Sequence, residues 1–159
     1  MTRSFRAAVL TGLLCGVGAC ASPLAPVDTQ LTPLTGSTDA GGDIRGDATW
    51  VVRDAGTFAR LWAEFFGRQR EVPAVDFSQH MVVVATMGQQ PTAGYAIEIT
   101  GMTASRGGEL AVHVRTTSPG ANCGVAMVLT TPVVMSRARR MDGPVRFEFT
   151  RSTRDCASR

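Results

Sequence analysis

The chain has 159 residues, of which 44% are hydrophobic and 18% are charged, a composition typical of one folded domain and not of a disordered chain. The formal net charge is +3, and every basic residue is an arginine. Two arginines, Arg3 and Arg6, precede an apolar leader, and without them the net charge is +1. We therefore expect no nucleic-acid partner, because nucleic-acid-binding proteins concentrate basic residues on one surface.

The N-terminus has the layout of a secretory signal peptide. Residues 1–6 are basic, residues 7–16 are mostly apolar, and small residues follow. This apolar run is shorter than the roughly 20 residues that a membrane-spanning helix needs. Residues 17–20, Val-Gly-Ala-Cys, resemble the lipobox of bacterial lipoproteins. The resemblance implies a signal peptide over residues 1–19 and acylation of Cys20, with an ordinary cleaved signal or an uncleaved anchor as alternatives.

The residues after Cys20 predict where the protein resides and how its domain is attached. Ala21 follows the cysteine, which resembles the address of an outer-membrane lipoprotein. We expect a protein of the bacterial cell envelope, anchored to the outer membrane by the lipid on Cys20 and facing the periplasm. Residues 20–48 are rich in Pro, Thr, Ser, Gly and Asp, which predicts a flexible tether. The folded domain is predicted over residues 49–159.

A short strand and one helix are predicted at the start of the domain. Residues 48–53 carry the apolar run of the strand, and Asp54 can cap the helix that follows. Gly67 is a suitable C-terminal stop. The large apolar side chains recur at helical spacing, which predicts one face packed against the core rather than a partner surface. These side chains are Phe58, Leu61, Trp62 and Phe65.

The rest of the domain has the pattern of strands. Residues 81–87 form a continuous apolar run, typical of a strand covered on both faces. Apolar and polar residues alternate over residues 95–100, 110–115 and 145–150, typical of half-buried antiparallel strands. Residues 125–136 are expected to supply one or two more strands. The predicted fold is mainly β, a small antiparallel β-sandwich or open barrel with one N-terminal helix, and an α+β fold is the alternative.

The four cysteines separate into two groups. Cys15 is expected to leave with the signal peptide, and the lipobox resemblance implies that Cys20 takes the lipid. Cys123 and Cys156 then remain as an even pair in an exported protein. Such a pair predicts a disulfide. Closing a loop of about 33 residues would stabilise the fold by roughly 3–4 kcal/mol. It would hold the C-terminal tail against the loop that begins near Pro119, and a reactive or metal-bound thiol is the alternative.

Catalytic motifs are missing from the sequence. His80 and His113 match no zinc-hydrolase spacing, and neither a nucleophile elbow nor a phosphate-binding loop is present. We therefore predict a protein that is not an enzyme, with no catalytic residue, cofactor or metal, in which His113 is solvated. The alternative is a hydrolase whose fold gathers one of the histidines with an acid or a serine. We interpret the basic run near the C-terminus as a solvated strand edge or turn, and contact with anionic lipid headgroups is the alternative. The run consists of Arg137, Arg139 and Arg140.

The loop after the continuous apolar run is the predicted partner-binding segment. Gly88 and Gly94 permit positive φ, and Pro91 fixes its own φ. Loops placed by a rigid scaffold often carry binding, although a connection that merely needs these backbone angles fits equally well. The predicted contact residues are Gln89, Gln90, Pro91, Thr92, Ala93, Gly94 and Tyr95.

Several of these stretches together resemble the PrcB C-terminal family. They are Val75-Asp76-Phe77-Ser78, the valine-rich strand, the Pro91–Tyr95 turn with its amphipathic strand, and Leu129-Thr130-Thr131-Pro132. The similarity spans roughly residues 50–150. Ala93 stands where this family usually has a second glycine, and the Cys123–Cys156 pair is not a hallmark of it.

This resemblance implies a non-catalytic accessory role. The family is named after a lipoprotein-type subunit of a cell-envelope protease complex, so we expect the chain to dock a protein partner, with an envelope protease as the candidate. The Pro91–Tyr95 segment is also similar to the NPTTGY loop of chagasin-like cysteine-protease inhibitors, which makes an inhibitor the alternative. Against this, Gln90 stands where that loop has Asn, and an Arg-Pro-Trp third loop is not found.

Overall fold

The computed structural model describes residues 31–36, 38–39, 44–105 and 107–156. The predicted signal peptide and the lipidation site Cys20 lie outside these residues. Among the described residues, no helix has the length and apolarity needed to cross a membrane. The elements in chain order are β1 (Thr32–Pro33), β2 (Thr38–Asp39), β3 (Ala48–Val52), α1 (Ala55–Phe66), β4 (His80–Thr86), β5 (Ala96–Ala104), β6 (Leu110–Pro119), β7 (Pro132–Arg139) and β8 (Val145–Arg154).

The strands form two separate sheets, so the protein is mainly β and is a small sandwich rather than a barrel. Strands β1, β7, β4 and β3 lie in that order in the first sheet, where β2 also pairs with β7. All pairs in this sheet are antiparallel. The second sheet has the order β5-β6-β8. The prediction of a mainly β sandwich with one N-terminal helix is confirmed.

The continuous apolar run forms β4, which is buried on both faces as predicted. Met81 and Val83 point into the core between the two sheets, whereas Val82 and Val84 point to the opposite side. Successive side chains of a strand alternate between faces, and β4 lies between β3 and β7. Because the second sheet covers one face of β4 and α1 covers the other, both faces need apolar residues. Thr86 is the one polar residue of the run.

Helix α1 covers the outer face of the first sheet and not an open end of the sandwich. Asp54 caps it by accepting a hydrogen bond from the Thr57 N–H at 2.8 Å, and Gly67 follows its last residue with φ of 77°. The apolar stripe is buried against Val82, Val84 and their neighbours, as the helical spacing predicts. Its buried residues are Phe58, Leu61, Trp62 and Phe65.

The direction of β8 differs from the prediction. Val145–Arg154 runs parallel to Leu110–Pro119 without a break in register, whereas the alternating pattern was interpreted as an antiparallel strand. The chain leaves the second sheet after β6, crosses to the first sheet as β7, and returns as β8 in the direction of β6. The alternation of apolar and polar residues indicates that one face of a strand is buried. It does not indicate whether the strand is parallel or antiparallel to its neighbour.

Part of the predicted tether is attached to the domain. Thr32 and Pro33 pair with β7, and Thr35 is 7% exposed. The Thr35 Oγ1 accepts a hydrogen bond from the Met135 N–H at 3.0 Å. Thr32 and Pro33 therefore extend the first sheet, and Thr35 is bonded to it, although the sequence assigned these residues to the tether.

Residues 125–129 do not form the strand that their apolar character predicted. Between residues 125 and 131 only Thr130 makes a β-bridge, and its partner is Gln90. The segment is part of a long loop between β6 and β7, and regular pairing resumes at Pro132.

Candidate functional site: two paired loops

Two loops that connect the sheets lie side by side. The first loop, residues 88–95, leads from β4 to β5, and the second loop, residues 120–131, leads from β6 to β7. Both loops therefore cross from one sheet to the other, and we call them the paired loops.

Hydrogen bonds join the paired loops to each other. The backbones of Gln90 and Thr130 exchange two hydrogen bonds, of 2.7 Å and 3.0 Å. The Thr130 hydroxyl donates to the Thr92 carbonyl at 2.8 Å. The Ala93 N–H donates to the Ala126 carbonyl at 3.0 Å. The two loops therefore form one unit, and the second loop occupies part of the surface that the sequence assigned to the first loop alone.

Two glycines allow the first loop to lie this close to its neighbours. Gly88 has φ of 62°, and a Cβ there would lie 2.6 Å from the backbone of Gly46. Gly94 has φ of 95°, and a Cβ there would lie 3.0 Å from the Val125 side chain. Among the described residues only glycines have positive φ. Ala93 therefore does not have the positive φ that would favour glycine, and alanine fits where the family usually has a second glycine.

The second loop is fastened to the end of β8. Cys123 and Cys156 form a disulfide, with their Cα atoms 5.0 Å apart. The Asn122 side chain donates to the Cys156 carbonyl at 2.7 Å and accepts from the Cys156 N–H at 3.2 Å. The Gly120 N–H donates to the Arg154 carbonyl at 2.8 Å. These contacts hold the C-terminal tail against the second loop, the arrangement that the cysteine pair predicts.

Three consecutive apolar side chains project from the second loop. Met127 is 85% exposed, Val128 is 52% exposed and Leu129 is 61% exposed. Exposed apolar side chains that are grouped together make this part of the second loop a candidate interaction site. Sequence reasoning missed this site because an uninterrupted apolar run resembles a buried strand, and only the three-dimensional neighbours distinguish the two.

The paired loops carry no charged residue. One cation lies beside them, since the Arg154 guanidinium is 3.5 Å from the position that a Gly94 Cβ would occupy. The cores of protein–protein interfaces are depleted of charged residues, so an uncharged surface around Met127 and Leu129 is suited to a protein partner.

The predicted contact residues of the first loop are only partly accessible. Gln89 and Pro91 are exposed, while the others are half-buried beneath or beside the second loop. The half-buried residues are Gln90, Thr92, Ala93, Gly94 and Tyr95.

A second polar arrangement lies on the three-stranded sheet. The Thr103 Oγ1 lies 3.1 Å from the His113 Nε2, and the His113 Nδ1 lies 3.1 Å from the Glu148 Oε2. Arg146 pairs with both Glu148 and Glu109. The expectation that His113 is merely solvated is wrong, because neighbouring strands place partners at both ring nitrogens.

The other histidine is not part of this arrangement. His80 bonds to the Asp76 carbonyl through its backbone N–H at 2.9 Å, and its Nδ1 lies 3.3 Å from the same oxygen. These contacts stabilise the turn that precedes β4.

Comparison with known families supports the sequence resemblance. Residues 81–137 match the model of the PrcB C-terminal family. The chain is similar to the PrcB C-terminal family over this segment. The PrcB C-terminal segment starts in β4, contains both paired loops and ends in β7, so it includes the whole candidate site. No curated protein and no solved structure matches the chain, and the similarity to chagasin-like inhibitors is not shown.

Proposed function

We propose that this protein is a non-catalytic accessory module of the cell envelope that binds a partner protein through the paired loops. The observation that carries the proposal is the projection of Met127, Val128 and Leu129 from a loop that is held in place. Hydrogen bonds to the first loop and the Cys123–Cys156 disulfide order this surface before binding. A preorganised surface loses less conformational entropy when it binds.

The exposed side chains are large enough to anchor a complex. Fully burying a Met or Leu side chain contributes about 1.5–3 kcal/mol, and a few well-buried anchors dominate most protein interfaces. The similarity to the PrcB C-terminal family favours an envelope protease as the partner. Anchoring through a lipid on Cys20, at the outer membrane, would keep the module beside such a protease.

Site-specific photo-crosslinking tests this proposal. A photoreactive phenylalanine analogue replaces Met127 in the full chain, and a matched probe replaces Ala59, which is exposed on α1. In intact envelopes we expect one discrete crosslinked protein from position 127 and none from position 59. Equal products from both positions, or none from position 127, would contradict the proposal.

Competition identifies the side chains responsible. Excess purified protein should suppress the crosslink, and the M127S/L129S variant should not. The V72S variant is a matched control, since Val72 is also an exposed apolar residue, at 39%, but lies outside the paired loops. V72S should compete as well as the original protein does.

An inhibitory version of this proposal uses the same surface. If the partner is a protease, its residual activity should fall with increasing amounts of the purified protein, and M127S/L129S should weaken this effect. Unchanged protease activity at saturation would favour the accessory role. A papain-like enzyme is the first one to assay for the chagasin-like alternative.

One observation favours a second candidate function, hydrolysis. Thr103, His113 and Glu148 place a hydroxyl, an imidazole and a carboxylate in the order used by nucleophile–base–acid triads. The His113 and Glu148 side chains are 34% and 39% exposed, which is more open to water than such a triad usually is. Hydrolysis of an activated ester, measured for the original protein, T103V and H113A, tests this candidate. Equal rates for all three proteins would reject it.

A further inference from the structure

Strand β8 has one free edge. It pairs with β6 along its full length, and no other strand in the described part of the chain pairs with its second side. The Leu110 N–H donates to the Pro144 carbonyl, and the Gly120 N–H donates to the Arg154 carbonyl. Both acceptors, at 144 and 154, are even-numbered. Because backbone groups alternate in direction along a strand, the even-numbered residues of β8 direct their N–H and C=O groups to β6. The odd-numbered residues of β8 direct theirs to the free edge.

This edge lacks three of the usual protections against pairing. Natural edge strands are commonly short, bulged, interrupted by proline or lined with charged side chains. Only the last of these applies to β8, which carries Arg146, Glu148, Arg151 and Arg154. β8 has ten residues, its register with β6 is continuous, and it contains no proline. Phe149, near its middle, is 40% exposed. The backbone groups of Phe147, Phe149 and Arg151 are thus available to a further strand.

We propose that a second copy of this chain pairs with β8 in antiparallel orientation, so that two three-stranded sheets form one six-stranded sheet across a twofold axis. In such a twofold pair, two residues that lie opposite each other have their side chains on the same face of the sheet. Two registers align nine of the ten residues of β8, and they are centred on Phe149 or on Thr150.

Charge distinguishes the two registers. In the register centred on Thr150, Arg146 lies opposite Arg154 of the second copy, and this repulsion occurs twice. Like charges directly opposite each other destabilise strand pairs. In the register centred on Phe149, no like charges are opposed, since Arg146 then faces Ser152 of the second copy.

The register centred on Phe149 also brings together favourable pairs. Phe149 faces its own counterpart, and Phe147 faces Arg151 of the second copy. Aromatic pairs and contacts between arginine and an aromatic ring stabilise cross-strand neighbours. β8 is thus complementary to itself in this register.

Sedimentation of the full-length protein in density-matched detergent tests the dimer. Arg151→Pro removes an N–H from the free edge and leaves the bonds to β6 intact, because proline is tolerated where the N–H faces solvent. Arg151→Ala is the matched control, since it removes the same side chain and keeps the N–H. We expect R151P to dissociate about tenfold more readily than R151A. A monomer at every concentration, or equal behaviour of R151P and R151A, would overturn the proposal.

Substitutions of Thr150 test the register. In the proposed register Thr150 faces Glu148 of the second copy, so T150K should strengthen the dimer and T150E should weaken it. In the register centred on Thr150, both variants oppose like charges and both weaken the dimer, which would overturn the proposed register. The M127S/L129S variant should dimerise normally, so failure of this proposal can be distinguished from failure of the paired-loop proposal.

Discussion

Two apolar runs in this chain have opposite environments. Residues 82–84 of β4 are fully buried between α1 and the second sheet, whereas residues 127–129 project into solvent. The first run has a strand on each side, whereas the second is bonded to the first loop through its flanks, at Ala126 and Thr130. An apolar run is buried when other elements cover its faces, and a run left uncovered on an ordered loop is available to a partner.

A matched pair of leucine substitutions should give the largest difference in unfolding free energy between the paired loops and the helix side, by which we mean α1 and the face of the first sheet that it covers. Leu61 is 6% exposed, and Leu129 is 61% exposed. Leu61→Ala should lower the free energy of unfolding by about 2–5 kcal/mol, because it leaves a cavity. Leu129→Ala should change it by less than about 0.5 kcal/mol. Urea unfolding measures both, and a large loss for L129A would show that residues 127–129 are part of the core.

Removing the disulfide should affect the paired loops more than the helix side. The C123S/C156S variant should lose roughly 3–4 kcal/mol of unfolding free energy, because the disulfide restricts the unfolded chain. Limited proteolysis should then cut the second loop before α1. Mass spectrometry of the exported protein without reductant provides the control, and free thiols at both positions would contradict this prediction.

Thr86 links the buried strand to the base of the first loop. It is fully buried, donates to the Pro132 carbonyl at 2.8 Å and accepts from the Gly88 N–H at 3.1 Å. Thr86→Val removes the hydroxyl that bonds the Pro132 carbonyl and the Gly88 N–H. It should lower the free energy of unfolding by about 1–3 kcal/mol. Thr153→Val, at an exposed position of β8, is the control. Equal stability of the two variants in urea would show that these hydrogen bonds contribute little.

The smallest expected effect is an acid sensitivity on the helix side. Hydrogen bonds from Thr57 hold the pKa of Asp54 below its usual value of 3.8, and those from Ser78 do the same for the pKa of Asp76. A carboxyl group whose pKa is lower in the folded protein than in the unfolded chain stabilises the fold at a pH above its unfolded pKa. This contribution is lost as the pH falls through its folded pKa.

Urea unfolding between about pH 5 and pH 2 should detect this loss. Asp54→Asn retains a capping side chain that does not titrate, so its stability should fall less steeply over the same range. The paired loops contain no carboxylate and should not contribute to the slope. Parallel pH profiles for D54N and the original protein would contradict this assignment.

The predictions from sequence were most accurate where neighbours in the chain determine the structure. The N-cap Asp54, the helical stripe and the stop at Gly67 are local features, and α1 forms as they indicate. The alternation predicted over residues 95–100 is present in β5, where Ile97 is buried and Glu98 and Thr100 are exposed, but it does not continue unchanged to the end of the strand. A register shift between Ile99 and Gly101 then transfers burial to Met102 and Ala104, because a bulge inserts one residue into the period of two.

The sequence by itself determined the helix, the existence of six of the strands, the cysteine pair and the similarity to the PrcB C-terminal family. Only the tertiary structure decided that β8 is parallel to β6, that Thr32–Pro33 join the first sheet and that residues 127–129 are exposed. Periodicity and capping depend on residues a few positions apart, so they can be inferred from the order of amino acids. Strand direction and exposure depend on which distant segment lies opposite, and only the folded chain establishes that.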